Sequence, residues 1–175
     1  CRIECNKQYP IDLPIILPTP PRDPGLGKTI DNPAISCSDI KQWGDERAKS
    51  GIYWLEMPSK GIIKVYCDME NEEGGWTLFY NYNHLPGQDL SLNASKMPSS
   101  LNDNSHINLA EAGFTTKDVK ELRFMCYEKI GTDNSYWHFK TTNKEMISTA
   151  LTGDQQELTK ESLPSNYKEL DPIKG

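Results

Sequence analysis

One short stretch constrains the fold of this sequence most. Residues 67–79 read CDMENEEGGWTLF, a cysteine followed by an acidic run, two glycines and a tryptophan. The acidic residues 70–73 are typical of a solvated turn. Gly74 and Gly75 adopt positive φ angles that other residues resist, which would let Trp76 turn back onto the preceding strand. The stretch predicts a structural turn that joins a cysteine-anchored strand to the next strand and seats one large aromatic side chain.

Local patterns on both sides of this turn predict an α+β module. Ser36 or Ser38 can cap a helix that runs to Lys49 and stops at Gly51. Apolar and aromatic runs at 52–57 and 62–67 predict a β-hairpin, with further strands starting at 76, 120 and 136 and a helix over 144–151. Cys37 would lie at the start of the first helix and Cys67 at the end of the hairpin. A bond between these two cysteines would staple helix to hairpin and contribute about 3 to 4 kcal/mol.

Cysteine content and a glycosylation signal predict an extracellular setting. The chain has five cysteines, none in a CxxC pair, and three histidines, so a zinc site is not expected. Asn93-Ala94-Ser95 is an N-glycosylation sequon. Together these features favour an oxidising compartment, and we predict a secreted or cell-surface chain that carries glycan at Asn93. An odd cysteine count leaves at least one thiol free or bonded to another chain.

Proline density predicts that residues 1–34 are a tether rather than part of the domain. Seven prolines fall between positions 10 and 33, and proline prevents regular helix and ladder pairing. Cys1 and Cys5 lie at the start of this segment and are candidates for interchain or tether disulfides. The domain is then expected over residues 35–175, as a small mixed module with an antiparallel sheet and short helices.

The sequence from 35 to 80 resembles the N-terminal part of a fibrinogen-like (fibrinogen C-terminal) domain. The matching motifs are Cys37, Ser50–Trp54, Val65–Glu70 and Gly74–Leu78, in the family's order and spacing. The resemblance implies that Cys37 pairs with Cys67 and that Trp54 and Trp76 are structural aromatics. The fibrillar-collagen C-propeptide shares a similar but less complete pattern, and the Gly-Gly-Trp-Thr-Leu run favours the fibrinogen-like family.

The second half of the chain departs from that family. Members continue into a subdomain with an aspartate-rich calcium loop, a second disulfide and a ligand pocket, and none of these motifs is recognisable after residue 80. The C-terminal part is therefore truncated or divergent, and no ligand site is carried over. No cofactor is expected, because Asp89 and Asp103 lack the spacing of calcium ligands.

Function is expected to be binding rather than catalysis. No nucleotide loop, nucleophile elbow or metalloprotease helix is present, and Cys126 with His138 is better explained by a buried or disulfide-bonded cysteine than by a thiol nucleophile. A net charge of -6 with scattered Lys and Arg argues against a nucleic-acid partner, and no apolar run is long enough for membrane insertion.

Two functions stay open. The first is an adhesion or recognition module for a protein or glycan ligand. The second is a structural subunit that associates with itself or with another extracellular chain through Cys1 and Cys5, forming a disulfide-linked oligomer or fibre. The tryptophans, with Tyr53, could line a sugar site, although strand and helix positions favour core packing for them.

Overall fold

The computed structural model describes residues 1–7, 21–83, 87, 93, 95–130, 133–152 and 167–169, and for 127–130, 133–136 and 167–169 it describes the backbone alone. The elements in chain order are β1 (Arg2–Lys7), α1 (Cys37–Trp43), β2 (Gly51–Met57), β3 (Gly61–Asp68), β4 (Trp76–Asn81), β5 (Ser105–His106), β6 (Val119–Ile130), β7 (Asp133–Thr141), α2 (Lys144–Thr152) and β8 (Tyr167–Glu169).

The strands form one antiparallel sheet in the order β2-β3-β4-β1-β6-β7-β8, with β5 added beside β4. The predicted hairpin is present as β2 and β3, paired from Gly51 opposite Cys67 to Met57 opposite Gly61. The strands predicted near 120–126 and 136–140 pair as β6 and β7. This sheet, two short helices and two disulfides confirm the predicted α+β, disulfide-stapled fold.

The structure differs from the predicted tether at its first residues. Residues 2–7 form β1, which lies inside the sheet between β4 and β6. Their alternation places Ile3 and Cys5 toward the core and Glu4 on the opposite face of the sheet. Proline argues against a strand only where it occurs, and residues 2–7 precede the first proline at position 10. Residues 8–20 lie outside the described part of the chain.

The end of the predicted tether also packs on the domain. Gly27 and Ala34 both contact the outer edge of β2 at Trp54, and residues 28–33 form a turn between them. The backbone N–H of Trp54 donates to the carbonyl of Gly27 at 2.8 Å, and Ala34 exchanges hydrogen bonds with Trp54 and Glu56 at 3.0 and 2.8 Å. An edge strand needs such partners or it offers its backbone to other chains. The segment therefore covers the edge of β2 instead of acting as a spacer.

The first helix is shorter than the sequence predicts. Ser36 is the N-cap, and its hydroxyl accepts a hydrogen bond from the backbone N–H of Asp39 at 3.0 Å, but the helix ends at Trp43 rather than Lys49. Gly44 is the C-cap and leaves the helical region with a ψ of -146°. Asp45 then holds a separate turn, because its side chain accepts a hydrogen bond from the N–H of Arg47 and its carbonyl accepts one from the N–H of Ala48. Such local hydrogen bonds compete with helix.

The main hydrophobic core lies on one face of the sheet. The inward side chains of β2 and β3 pack there with α1, α2 and the 97–114 region; fully buried members include Ile40, Leu55, Val65, Leu109, Leu122 and Ile147. This one-sided core fixes which side chains of each strand are buried. Side chains that point away from this core lie on the other face of the sheet.

Candidate functional site: a half-exposed sheet face beside a buried ionic cluster

Strand alternation creates a half-exposed face on the β2–β3 hairpin. Successive side chains of a strand point to opposite sides, so Tyr53, Leu55 and Met57 enter the core. The outward set consists of Ile52, Trp54 and Glu56 on β2 and their cross-strand partners Tyr66, Lys64 and Ile62 on β3. We call these six residues the outer hairpin face.

The outer hairpin face is unusually apolar for an exposed surface. Ile52 is 44% exposed and Ile62 is 38% exposed, and Trp54 and Tyr66 are partly exposed between them. The ammonium of Lys64 lies over the Trp54 ring, 5.1 Å from its centroid, which is within the range of a cation–π contact. Four large apolar side chains and an ordered cation on neighbouring strands can bind an apolar, polar-rimmed partner surface.

Trp54 is partly exposed rather than fully buried. The sequence suggested core packing for it, but its neighbours Tyr53 and Leu55 take the inward positions, so Trp54 faces outward. Trp137 departs further from core packing, since it is 74% exposed on β7. Trp76 follows the prediction, because it is 1% exposed.

A buried ionic cluster lies on the same side of the sheet as the outer hairpin face. Arg123 on β6 is 0% exposed, and its guanidinium contacts two carboxylates, those of Glu4 on β1 and Asp68 at the end of β3. The Asp68 Oδ2 atom lies 2.6 Å from Arg123 Nη2. The Trp76 ring stacks against the guanidinium, with its centroid 4.7 Å from the Arg123 Cζ atom. Three strands are thus joined by one arginine.

Residues of the same cluster also hold the turn over residues 69–75 by hydrogen bonds. Asp68 Oδ1 accepts hydrogen bonds from the backbone N–H groups of Glu70 and Asn71, each at 3.1 Å, and from the Ser50 hydroxyl at 3.0 Å. Trp76 Nε1 donates to the carbonyl of Glu72 at 3.0 Å. The buried carboxylate and indole therefore fix residues 69–75 next to the outer hairpin face.

Burial and charge shift the two carboxyl groups in opposite directions. Burial raises the pKa of Glu4 above its ordinary value, and the nearby Arg123 guanidinium offsets only part of that effect. Burial also acts to raise the pKa of Asp68, but Arg123 and the Asn71 hydrogen bonds outweigh it and hold the pKa below its ordinary range. Asp68 is therefore the carboxylate that stays ionised against Arg123 as the pH falls.

The structure pairs four of the five cysteines. Cys37 is bonded to Cys67 with a Cα–Cα distance of 5.5 Å, which links α1 to β3. Cys1 is bonded to Cys126, with Cα atoms 4.0 Å apart, which links the start of the chain to β6. This second bond differs from the expected interchain role of Cys1. Insertion of β1 beside β6 brings the two cysteines together. No local pattern in the sequence predicts this pairing of β1 with β6.

Cys5 also differs from the expected tether role. Its side chain is 2% exposed in the core beneath α1 and is in neither of the two disulfides. Asn93 and Ser95 of the sequon are exposed.

The calcium candidates are not brought together as a site. Asp103 accepts hydrogen bonds from the backbone N–H and hydroxyl of Ser99, at 2.9 and 2.7 Å, and pairs with Lys96 at 3.3 Å. Asp89 lies outside the described residues. Within the part of the chain that the structure describes, no group of three His, Cys, Asp or Glu side chains has the arrangement of a metal site. The absence of a cofactor stays a prediction.

Comparison with known proteins shows which family the hairpin and its turn are similar to. Residues 34–90 match the family model of the fibrinogen beta and gamma chains, C-terminal globular domain. Residues 34–90 are thus similar to that domain. This confirms the resemblance read from the cysteine, Trp54 and Gly-Gly-Trp motifs, and it covers the whole outer hairpin face. The collagen propeptide alternative stays untested.

Individual relatives agree with this assignment over short parts of their length. The chain is 48% identical over 44 residues to fibrinogen-like protein A of Apostichopus parvimensis, which covers 25% of this chain and 16% of that protein. It is 28% identical over 127 residues to the human fibrinogen alpha chain, covering 71% of this chain and 12% of that protein. The mouse alpha chain is 27% identical over 132 residues, 74% of this chain and 14% of its own length. No solved structure matches the chain.

The fibrinogen-like family consists of extracellular binding and structural modules that are generally not enzymes. The disulfides of this chain fit an extracellular setting. Among the described residues, no helix has the length and apolar character needed to cross a membrane.

Proposed function

We propose that this chain is a non-catalytic, extracellular recognition module that binds a protein ligand through the outer hairpin face. The observation that carries the proposal is the exposure of Ile52 and Ile62 around Trp54 and Lys64 on the fibrinogen-like hairpin. Fibrinogen-like domains bind other proteins, and apolar patches with aromatic anchors are typical of protein interfaces.

Charge on the hairpin indicates the chemistry of the ligand. Lys60 and Lys64 are exposed there, against one carboxylate, Glu56. The adjoining turn carries Glu70, Glu72 and Glu73, so the basic charge is confined to the end of the hairpin that holds Lys60 and Lys64. A ligand surface that combines apolar and acidic side chains would complement it, because opposite potentials favour encounter and register.

The cysteines favour this function over a disulfide-linked assembly. That alternative needs Cys1 or Cys5 to reach another chain. Cys1 bonds Cys126 in the same chain, and Cys5 is 2% exposed. We therefore expect the native chain to migrate as a monomer on non-reducing gels. A disulfide-linked dimer or ladder that disappears on reduction would instead favour the assembling subunit.

A screen against purified extracellular proteins tests the proposed face. The multimerised wild-type chain would be applied to immobilised ectodomains and to immobilised glycans, and each hit would be measured with the monomer. For a protein hit, we expect the variant Trp54→Ala with Ile62→Asp to weaken affinity at least tenfold, because it removes an aromatic anchor and places a carboxylate in the patch.

Trp137→Ala is the matched control. It removes an equally large, more exposed tryptophan on β7, well away from the hairpin in the strand order, and should leave affinity unchanged. Equal loss in both variants, or no loss at the hairpin, would overturn the proposed face. Binding to glycans alone would replace the protein ligand with a sugar.

A further inference from the structure

The edge of β3 that faces away from β2 is open over part of its length. In an antiparallel pair, two opposite residues either exchange backbone hydrogen bonds or both turn their backbone groups away from each other. The N–H and carbonyl of Trp54 point away from β3, since they bond to Gly27 and Ala34. Its partner Lys64 therefore directs its own N–H and carbonyl away from β2.

The neighbouring pairs follow the same alternation. The N–H of Glu56 donates to Ala34 at 2.8 Å, so its partner Ile62 also directs its backbone groups away from β2. Tyr66 shows that the groups on this edge can form hydrogen bonds, because its N–H donates to the carbonyl of Pro98 at 3.2 Å.

The described residues leave this edge unpaired at Ile62 and Lys64. Within the described sheet, β3 pairs with β4 only at Cys67 and Asp68. None of the described residues forms a hydrogen bond with the backbone N–H or carbonyl of Ile62 or Lys64, and both residues are exposed. We call residues 62–64 the open β3 edge. Free N–H and carbonyl groups on an exposed edge are a template for another strand.

We propose that the open β3 edge binds an extended segment of the protein ligand, which adds to the sheet as an antiparallel strand. The inference rests on the proposed recognition function, since Ile62 and Lys64 belong to the outer hairpin face as well. In strand addition, main-chain hydrogen bonds provide affinity and alternate side chains provide specificity. The added strand supplies one hydrogen bond for each free N–H and carbonyl of these two residues.

The side chains around the edge indicate the chemistry of the segment. Lys64 and the nearby Lys60 are both exposed, so an acidic residue fits opposite Lys64. Ile62 is 38% exposed and favours an apolar residue opposite it. The residue between these two faces the other side of the sheet, where Ile63 is partly buried against the core. In its own chain direction, the antiparallel segment is therefore acidic, apolar, apolar.

A second copy of the chain fits this edge less well than a separate protein does. Two copies would pair in opposite directions, with Ile62 of each copy facing Lys64 of the other. The two Lys64 side chains would then be diagonal neighbours on one face, where like charges repel. Self-association of the chain that Lys64→Pro abolishes would overturn the choice of a separate protein.

A synthetic peptide tests the edge directly. The probe is acetyl-Thr-Glu-Val-Ile-Thr-amide, added at up to millimolar concentration to the full, disulfide-bonded chain labelled for amide NMR. We expect the amide protons of Ile62 and Lys64 to shift downfield and to exchange more slowly with solvent, because their free N–H groups become hydrogen-bonded. Absence of these shifts, or shifts confined to other strands, would overturn the inference.

Two N-methylated forms of the probe are matched controls. In the antiparallel pairing, the N–H groups of the peptide's glutamate and isoleucine bond to β3, whereas that of its valine points away. N-methylation of the isoleucine should weaken binding about tenfold, because one hydrogen bond is lost and the methyl group meets β3. N-methylation of the valine should leave affinity unchanged. The reverse order would overturn the antiparallel pairing.

Two substitutions of Lys64 test the edge from the side of the protein. Lys64→Ala removes only the side-chain cation, whereas Lys64→Pro also removes the N–H and should weaken peptide binding about tenfold further. Proline is tolerated where a strand N–H faces solvent, so we expect similar urea midpoints. Equal peptide affinities would overturn the inference. The N-methylated peptides need no variant and decide the question if Lys64→Pro unfolds.

A protein hit from the ligand screen separates failure of this inference from failure of the proposed function. If Trp54→Ala with Ile62→Asp weakens binding of the hit, but Lys64→Pro and Lys64→Ala bind it equally, the open β3 edge is overturned and the recognition function stands. If none of these variants weakens binding, both are overturned.

Discussion

At the scale of single residues, Arg123 organises the molecule. It is fully buried between Glu4 and Asp68, and each of the three lies on a different strand. A buried ion pair contributes little net stability, because desolvation offsets attraction, but loss of one partner leaves an uncompensated charge. We infer that Arg123 favours the arrangement in which β1, β3 and β6 lie close together. Alternation in 120–126 predicts a strand, yet it cannot tell whether a charged side chain meets solvent or a buried partner.

Replacement of Arg123 tests this account. We expect Arg123→Met to lower the free energy of unfolding by about 3 to 5 kcal/mol, because Glu4 and Asp68 would remain buried without their cation. The measurement is urea unfolding followed by tryptophan fluorescence. Adding Glu4→Gln and Asp68→Asn to the same chain should recover part of the loss. A loss below about 1 kcal/mol in Arg123→Met, the range of surface ion pairs, would show that solvent reaches the cluster.

At the scale of elements, the turn after β3 combines a predicted and an unpredicted feature. Gly74 and Gly75 have φ angles of 73° and 82°, as the Gly-Gly pair predicts. Glu72 and Glu73 also have positive φ, 48° and 70°, which the sequence does not predict because glutamate rarely adopts this conformation. The hydrogen bonds of Asp68 and Trp76 to this turn supply the necessary constraint, and these are tertiary contacts.

Alanine substitution at Gly75 and at Gly61 separates the cost of backbone strain from the cost of a packing clash. Gly61 is the matched control. A Cβ at Gly75 would lie 3.0 Å from the Cα of Ser38, whereas one at Gly61, with a φ of 70°, would meet nothing within 4 Å. We expect Gly61→Ala to cost about 1 kcal/mol from strain. Gly75→Ala should cost about 2 to 3 kcal/mol, because α1 must also shift. Equal losses in urea unfolding would contradict the close approach of α1 to the turn.

At the scale of the whole molecule, the sequence predicts the elements that form from residues close together in the chain. Hairpin β2–β3, the β6–β7 pair and the cap of α1 each follow from patterns within a few residues. The position of β1 does not, because pairing across more than 100 residues leaves no local trace. The Cys1–Cys126 bond and the burial of Arg123 depend on that same strand. These three features therefore share one cause, the insertion of residues 2–7 between β4 and β6.

Removal of residues 1–7 tests the central position of β1. A tether could be deleted without effect on the domain, but loss of β1 would separate β4 from β6 and leave Arg123 without Glu4. We expect the shortened chain to lose cooperative urea unfolding, measured by circular dichroism and fluorescence, since a divided sheet exposes two strand edges. A control with Cys1→Ser and Cys126→Ser keeps β1 and removes only the crosslink. It should still unfold cooperatively, at a lower urea midpoint, because its denatured state is less constrained. A shortened chain with the wild-type midpoint would instead favour the tether.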